Sequence, residues 1–122
     1  MTIETATSKF IFDLTASELD YMVARAEGIM YLRDTRGQVL EFGEDKQLYV
    51  KTKDLRMFAY QPSRNWRLGG PIIEKHGISL QKLGSKWVAD IGRDSTASGN
   101  HALTAAMRAL VRLKFGDQVK ID

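Results

Sequence analysis

The sequence predicts an α+β fold, in which a mostly antiparallel sheet of four to six strands packs with three helical regions as an α-β-α sandwich. Helical periodicity occurs in three separate stretches, at residues 16–27, between residues 63 and 77, and at residues 101–115. Short apolar runs with glycine-containing turns lie between the helical stretches. A chain of 122 residues without linker or repeat fits one domain, residues 1–122, with residues 1–12 as a candidate flexible segment.

The composition argues against several kinds of chemistry and location. The chain has no cysteine, which removes disulfides and thiolate sites and suits a reducing compartment. No apolar run approaches the roughly 20 residues that cross a bilayer, and residues 1–12 lack the apolar stretch of a secretory signal. We therefore expect a cytoplasmic protein without a membrane partner.

Charge differs between the two halves of the chain. Residues 1–50 carry five Lys and Arg against nine Asp and Glu, whereas residues 51–122 carry thirteen against six. The basic second half favours an anion-binding surface, with an ordinary solvated surface as the alternative. No helix-turn-helix pattern or dense basic stripe accompanies this excess, so duplex DNA is not the expected partner.

The first helix has the clearest start. Thr15 and Glu18 have the spacing of a capping box, in which each side chain bonds the other residue's backbone amide. Gly28 is placed to end the helix. The pattern predicts a helix over residues 16–27.

Short alternating segments predict the strands of the first half. Residues 29–33 and 38–42 form a hairpin, because Gly37 can adopt the positive φ of a tight turn. Residues 48–52 follow as a third strand. Residues 54–60 are either a further strand or an irregular segment.

The second half alternates strands with a final helix. Residues 78–83 and 86–91 are predicted strands around a Gly-Ser turn. Residues 94–99, rich in Ser, Thr and Gly, are predicted as a polar loop. Asn100 is then the expected cap of a helix over residues 101–115.

The segment at residues 60–77 is the most unusual. Either Ser63 or Asn65 caps a helix that begins here. Gly69-Gly70 and Pro71 then interrupt the helical pattern, and Pro71 kinks the helix or begins a second one. The two glycines fit a close approach of backbones better than a phosphate loop, because no Lys-Ser/Thr follows them.

The sequence offers no recognisable catalytic or metal-binding pattern. His76 and His101 are the two histidines, and neither stands in a His-x-x-x-His pattern or beside Asp-x-Asp. No Gly-x-Ser-x-Gly elbow occurs. We expect a binding protein that is not an enzyme and uses no cofactor and no metal, with nucleotide cleavage as an open alternative.

A candidate site for an anionic ligand surrounds the first of two tryptophans. Trp66 stands among cationic side chains at a predicted helix start, where backbone amides favour anions. An indole can stack on a base while guanidiniums hold phosphate. For Trp66 and Trp87 alike the alternative is a place in the core. The candidate ligand-binding residues are Tyr60, Ser63, Arg64, Asn65, Trp66, Arg67, Thr104 and Arg108.

Thr104 and Arg108 belong to this set as part of a polar stripe on the final helix. They recur four residues apart, and Arg112 continues the spacing. A solvated helix face is the alternative for this stripe.

Several runs in the second half resemble uncharacterised phage proteins related to NinX, and the pattern is similar to the phage ABA sandwich domain. The resemblance covers residues 60–122. The matching runs are Pro62-Ser-Arg-Asn-Trp66, Gly69-Gly-Pro-Ile-Ile-Glu74, Ile78, Trp87-Val-Ala89, Ala102-Leu-Thr-Ala-Ala-Met-Arg108, Phe115-Gly116 and Val119. This sequence has Asn65 where the family often has Asp, and His101-Ala102 where a Pro commonly opens the last helix.

The resemblance implies a small accessory phage protein that is dispensable for the virion and acts against host defence in the cytoplasm of the infected bacterial host. Several unrelated small phage families act as sponges for the nucleotide signals of bacterial immunity. We therefore expect a non-enzymatic binder of an anionic nucleotide-type molecule, in a homo-oligomer with pockets between subunits. The rival expectation is a protein-interaction module that inhibits a host defence enzyme or nuclease.

Overall fold

The structure, a computed structural model, describes residues 8–29, 39–43, 47–51 and 57–121. The helices within these ranges are α1 (Ala16–Ala26), α2 (Trp66–His76) and α3 (Ala102–Phe115), with a short 3-10 turn at Ile11–Asp13. The strands are β1 (Ser8–Phe10), β2 (Val39–Phe42), β3 (Leu48–Lys51), β4 (Met57–Ala59), β5 (Ile78–Leu83), β6 (Lys86–Ile91), β7 (Ser95–Gly99) and β8 (Gln118–Lys120).

These strands form three small antiparallel sheets. Their orders are β1-β8, β2-β3-β4 and β5-β6-β7. The predicted α+β class and antiparallel pairing are confirmed, but the strands in the described part of the chain are not gathered in one sheet of four to six. The sheet β1-β8 brings together two three-residue strands from the ends of the chain, which are too short to show an alternating pattern.

Helix α1 starts as its capping box predicts. The Thr15 hydroxyl accepts a hydrogen bond from the Glu18 amide at 3.1 Å, and the Thr15 amide donates to the Glu18 carboxylate at 3.0 Å. The same carboxylate binds Lys9 of β1 at 2.9 Å. The capping box therefore also ties the helix to the neighbouring strand.

Helix α2 runs without a break through its Gly-Gly-Pro sequence. The Asn65 side chain, not Ser63, caps it by accepting a hydrogen bond from the Arg67 amide at 2.9 Å. The helix continues past Pro71 to His76, so the interruption predicted there does not occur and no second helix begins. It ends at Gly77, whose φ of 62° is the left-handed conformation that glycine favours.

Gly69 confirms the predicted close approach. A Cβ atom at this position would lie 2.5 Å from the Pro62 carbonyl oxygen and 2.6 Å from a methyl carbon of Leu103 in α3. The absence of a side chain therefore lets α2 rest directly against the preceding turn and α3.

The prediction of a polar loop at residues 94–99 is wrong, because Ser95–Gly99 forms strand β7 beside β6. Its alternate residues Ser95, Ala97 and Gly99 are buried. Helix α3 covers them, and the Ser95 hydroxyl donates to the Ala109 carbonyl at 2.8 Å. Small residues are needed at these buried positions because the helix lies so close to the strand that a Cβ atom at Gly99 would be 2.9 Å from the Ala105 amide nitrogen.

The predicted cap of α3 is also wrong by one residue. His101 occupies the N-cap position, and its side chain makes no capping hydrogen bond. Asn100 is exposed. The helix ends at Gly116, which has a positive φ of 89°.

The first half of the chain shows the predicted strand at β3, with Leu48 and Val50 buried. The segment at residues 54–60, predicted as either a strand or an irregular segment, contains strand β4, which pairs with β3.

The predicted hairpin joins residues 29–33 to residues 38–42, and most of it, residues 30–38, lies outside the described residues. Its second strand is present as β2, which pairs with β3.

Helix α3 lies at the centre of the molecule. It packs on the sheet β5-β6-β7 and against α1, and all three contribute to one core cluster. Its fully buried side chains include Met107, Leu110 and Val111, which meet Met22 and Val23 of α1 in that cluster. The acidic first half of the chain thus packs on the basic second half. None of the helices in the described ranges is long and apolar enough to span a bilayer.

Candidate functional site

A cavity of about 410 Å³ lies where the first turns of α2 and α3 come together. Residues at the start of α2 form one part of the lining, residues at the start of α3 form another, and β6 contributes one tryptophan. The described residues that line it are Ser63, Arg64, Trp66, Trp87, His101, Ala102 and Leu103. Two helix starts that are distant in sequence therefore share one concave surface.

The two tryptophans of the cavity differ in exposure. The Trp66 residue is 57% exposed, so its indole lies at the surface and not in the core. Trp87 is partly buried and packs against the core cluster. The indole of Trp66 is thus open to a ligand at the rim of the cavity, whereas the indole of Trp87 forms part of the cavity wall.

Arg64 is held in place by a buried carboxylate of α1. Its guanidinium donates to Asp20 at 3.2 Å and to Gln47 at 3.0 Å. Asp20 is fully buried, and its second oxygen accepts a hydrogen bond from the Ser63 amide at 2.8 Å. One side chain of α1 therefore fixes two lining residues of the cavity.

Burial raises the pKa of Asp20, while hydrogen bonds from Ser63 and Arg64 act in the opposite direction. The Ser63 hydroxyl is close enough to contribute to this effect, yet it is buried without a hydrogen bond of good geometry. When Asp20 is ionised, its charge balances that of Arg64. The attraction of this cavity for anions must then come largely from other groups.

The helix starts are such groups, because the first amides of a helix carry a partial positive charge and lack intrahelical partners. In α2 the Asn65 side chain already accepts from one of these amides. In α3 the His101 side chain caps none of them. Ala102 and Leu103, whose amides belong to this first turn, line the cavity.

The other predicted ligand residues lie outside the lining. Tyr60 is buried in the core, and Asn65 acts as the cap of α2. Arg67 is exposed beside the cavity without lining it. Thr104 faces β7, where it would contact a Cβ atom at Gly99.

Arg108 is not among the described lining residues of the cavity. Its guanidinium donates to the Ser98 carbonyl at 2.9 Å and lies 5.1 Å from the centre of the Phe12 ring. Burial lowers the pKa of Arg108. Arg112 likewise donates to the Thr96 carbonyl at 2.8 Å. Arg108 and Arg112 of the polar stripe therefore bind the backbone of β7. Of the guanidiniums predicted to cluster around Trp66, that of Arg64 lines the cavity with it, whereas Arg67 and Arg108 are not among the described lining residues.

Sequence reasoning left Trp87, His101, Ala102 and Leu103 out of the candidate site. His101, Ala102 and Leu103 could have been included from the sequence. Backbone amides at a helix start favour anions, and this argument, used for Trp66, applies equally to the start of the final helix. No local signal connects that helix start with the one at residue 66. Within the described ranges, no group of three or more His, Asp or Glu side chains is placed to hold a metal ion.

The fold and the cavity define a small α+β protein with a ligand-sized opening between two helix starts. Over residues 11–114 the chain matches the family described as bacteriophage P22, NinX, and it belongs to this family. The match extends the resemblance, which began at residue 60, into the first half of the chain. No curated protein matches the chain. The family supports the role of a phage accessory protein.

Proposed function

We propose that this phage accessory protein binds an anionic nucleotide-type molecule in the cavity and holds it without converting it, as a sponge for a signal of host antiviral defence. The observation that carries the proposal is the lining itself. An exposed indole, a fixed guanidinium and an uncapped helix start face one space of about 410 Å³.

These groups complement the parts of a nucleotide. The face of Trp66 can stack on a base, a contact worth about 1–3 kcal/mol. Arg64 keeps unused N–H donors beyond the two bonds that orient it, and such donors bind phosphate oxygens. The amides at the start of α3 favour negative charge. A single nucleotide can engage all three.

The residues that line the cavity favour binding of an intact ligand over its catalytic conversion. His101 is the one histidine among the described lining residues, and no carboxylate accompanies it there. Acid–base catalysis usually relies on a positioned pair of titratable groups. We therefore propose storage of the intact ligand. The solvent-facing indole also leaves room for a second copy of the chain at the rim, so the proposal includes a homo-oligomer with shared pockets.

A protein-interaction module is the second candidate, and the exposure of Trp66 favours it. Exposed tryptophans often become the anchors of protein interfaces. In this version the surface around Trp66 would block a host defence enzyme or nuclease, and the cavity would be filled by a side chain of that partner.

Ligand retention separates these functions. The purified protein is incubated with cyclic and linear nucleotides, freed of unbound nucleotide, and heated to release what it holds. Recovery of intact nucleotide supports a sponge, whereas altered nucleotide indicates an enzyme. Retention of no nucleotide rejects the sponge and leaves the interaction module. Light scattering of the same samples tests the proposed oligomer.

Matched variants test the location of the site. We expect Trp66→Ala to weaken nucleotide binding by about tenfold or more, because the stacking surface is lost. Arg64→Ala removes a cationic donor and should have a comparable effect. Arg67→Ala is the control, since this neighbouring arginine is exposed outside the lining. Equal nucleotide affinities in all three variants would contradict the site.

A further inference from the structure

We infer that Lys82 of β5 supplies the positive charge that holds the phosphate of the ligand, at the Trp87 wall of the cavity. The inference rests on the proposed function and adds a binding residue that is not among the described lining residues. It places the phosphate at the β6 side of the cavity and leaves the exposed indole of Trp66 for the base.

The register of β5 and β6 places Lys82 beside Trp87. These two residues are directly opposite each other in the antiparallel pair. Side chains of directly opposite residues point to the same face of a sheet, with Cβ atoms about 4.5–5.5 Å apart. Because Trp87 lines the cavity, Lys82 extends from the face of the sheet on which the cavity lies.

This face of β5 changes from apolar to cationic along the strand. Ile78 is buried, Leu80 is partly buried against the core cluster, and Lys82 is exposed. Residues two apart on a strand share one face, so Lys82 continues the core-facing row beyond the core. The row therefore leaves the core beside Trp87, where the cavity begins.

The ammonium group of Lys82 is available to a ligand. Lys82 takes part in no hydrogen bond or ion pair among the residues that the structure describes. Arg64, in contrast, is paired with the buried Asp20 at 3.2 Å, which offsets its charge. Lysine carries its charge on a flexible four-carbon stem with three donors. The ammonium can therefore reach past the indole of Trp87 to an anion in the cavity without breaking an existing contact.

Calorimetric titration of the full chain compares AMP, GMP and their 3′,5′-cyclic forms with adenosine and guanosine. We expect Lys82→Gln to weaken nucleotide binding by about fivefold to tenfold, because a charge-assisted hydrogen bond to the phosphate is lost. Nucleoside binding should remain unchanged, since a nucleoside has no phosphate. Lys82→Arg keeps a cationic donor and should retain nucleotide affinity within about threefold of the wild type.

Lys86→Gln is the matched control. Lys86 is exposed and carries the same charge, and it precedes Trp87 on β6. Successive residues of a strand point to opposite faces, so Lys86 extends from the face of the sheet away from the cavity. We expect its replacement to change nucleotide affinity by less than about twofold at about 0.15 M salt, where exposed charges more than about 8 Å apart are largely screened.

The outcomes separate the two claims. If the wild-type protein binds none of these nucleotides, the proposed function fails and the inference with it. If nucleotides bind, but Lys82→Gln and Lys86→Gln weaken them equally, the inference is wrong and the proposed function stands. The same holds if Lys82→Gln weakens nucleosides as much as nucleotides, because the lysine would then act on the cavity and not on the phosphate.

Discussion

At the scale of single residues, two neighbouring glycines in α2 have opposite surroundings. The position of Gly69 allows no side chain, since the Pro62 carbonyl and Leu103 occupy the space of a Cβ atom. A Cβ atom at Gly70 meets nothing within 4 Å outside its own chain neighbours. The same residue type therefore serves tertiary packing at one position and not at the next.

We expect Gly69→Ala to lower the free energy of unfolding by about 1–3 kcal/mol, because the added methyl group forces α2 away from the Pro62 carbonyl, which is backbone and cannot rotate aside. Urea unfolding followed by circular dichroism measures the change.

Gly70→Ala is the matched control for this substitution. Alanine favours the helix, but a residue before proline meets the ring of Pro71, and the two effects oppose each other. We expect a net change of less than about 1 kcal/mol. A larger loss at Gly70 than at Gly69 would contradict the packing argument.

At the scale of elements, α1 is the part of the fold that local sequence specifies best. Its capping box needs only Thr15, Glu18 and their own backbone. We expect Thr15→Ala to lower the free energy of unfolding by about 1 kcal/mol, because an amide of the first turn loses its acceptor. Thermal unfolding monitored by circular dichroism measures the effect.

Thr15→Ser is the control for the capping box, since serine keeps the hydroxyl acceptor. We expect its stability to remain within about 0.5 kcal/mol of the wild type. If serine cost as much as alanine, the methyl group of Thr15 and not its hydroxyl would be the stabilising part.

Strand β7 shows the opposite case, an element that its own sequence does not indicate. Ser95, Ala97 and Gly99 are buried and alternate with the exposed Thr96 and the partly buried Ser98, but no buried side chain is large enough to show apolar periodicity. The reason for small residues lies in α3, which packs against them: a Cβ atom at Gly99 would lie 2.9 Å from the Ala105 amide. Local composition suggested a loop because the covering helix is distant in sequence.

At the scale of the whole molecule, Glu27 joins the ends of α1 and α2. Its carboxylate lies 2.8 Å from Nε2 of His76 and 3.3 Å from the Lys75 ammonium. Burial acts to raise the pKa of Glu27, but the hydrogen bonds from His76 and Lys75 together outweigh it and hold the pKa below its ordinary value of 4.5.

A carboxyl group whose pKa is lower in the folded state stabilises the fold above its unfolded pKa and loses this effect as pH falls through the folded value. We expect Glu27→Gln to lower the free energy of unfolding by about 1–2 kcal/mol at pH 7. The deficit should shrink as the pH falls below 4.5, where the wild-type carboxyl also becomes protonated. Urea unfolding at pH 7, 5, 4 and 3 measures it.

Glu74→Gln is the control for this ion cluster, because Glu74 lies on the same helix and is exposed. Its free energy of unfolding should remain within about 0.5 kcal/mol of the wild type at pH 7. A deficit for Glu27→Gln that stays constant down to pH 3 would show that its charge does not stabilise the junction of the two helices.

Only the part of the candidate site at the start of α2 was predictable from the sequence. Ser63, Arg64 and Trp66 were found because a candidate cap, a cation and an indole stand together at a helix start, although Asn65 proved to be the cap. Arg108 was included for its charge, and its position opposite Ser98 and Phe12 depends on how α3 lies across β7. The charge of a residue does not determine where its side chain points, because the fold decides which acceptors a long side chain can reach.

The sequence by itself determined the helices, the turn-linked strands β5 and β6, and the α+β class, because caps, glycine turns and periodicity act over a few neighbouring residues. Tertiary structure alone decided the pairing of β1 with β8, the strand character of β7 and the meeting of two helix starts at one cavity. These features depend on contacts between residues far apart in the chain. Their free energy comes from packing and from buried groups such as Asp20, which carry no signal in the residues beside them.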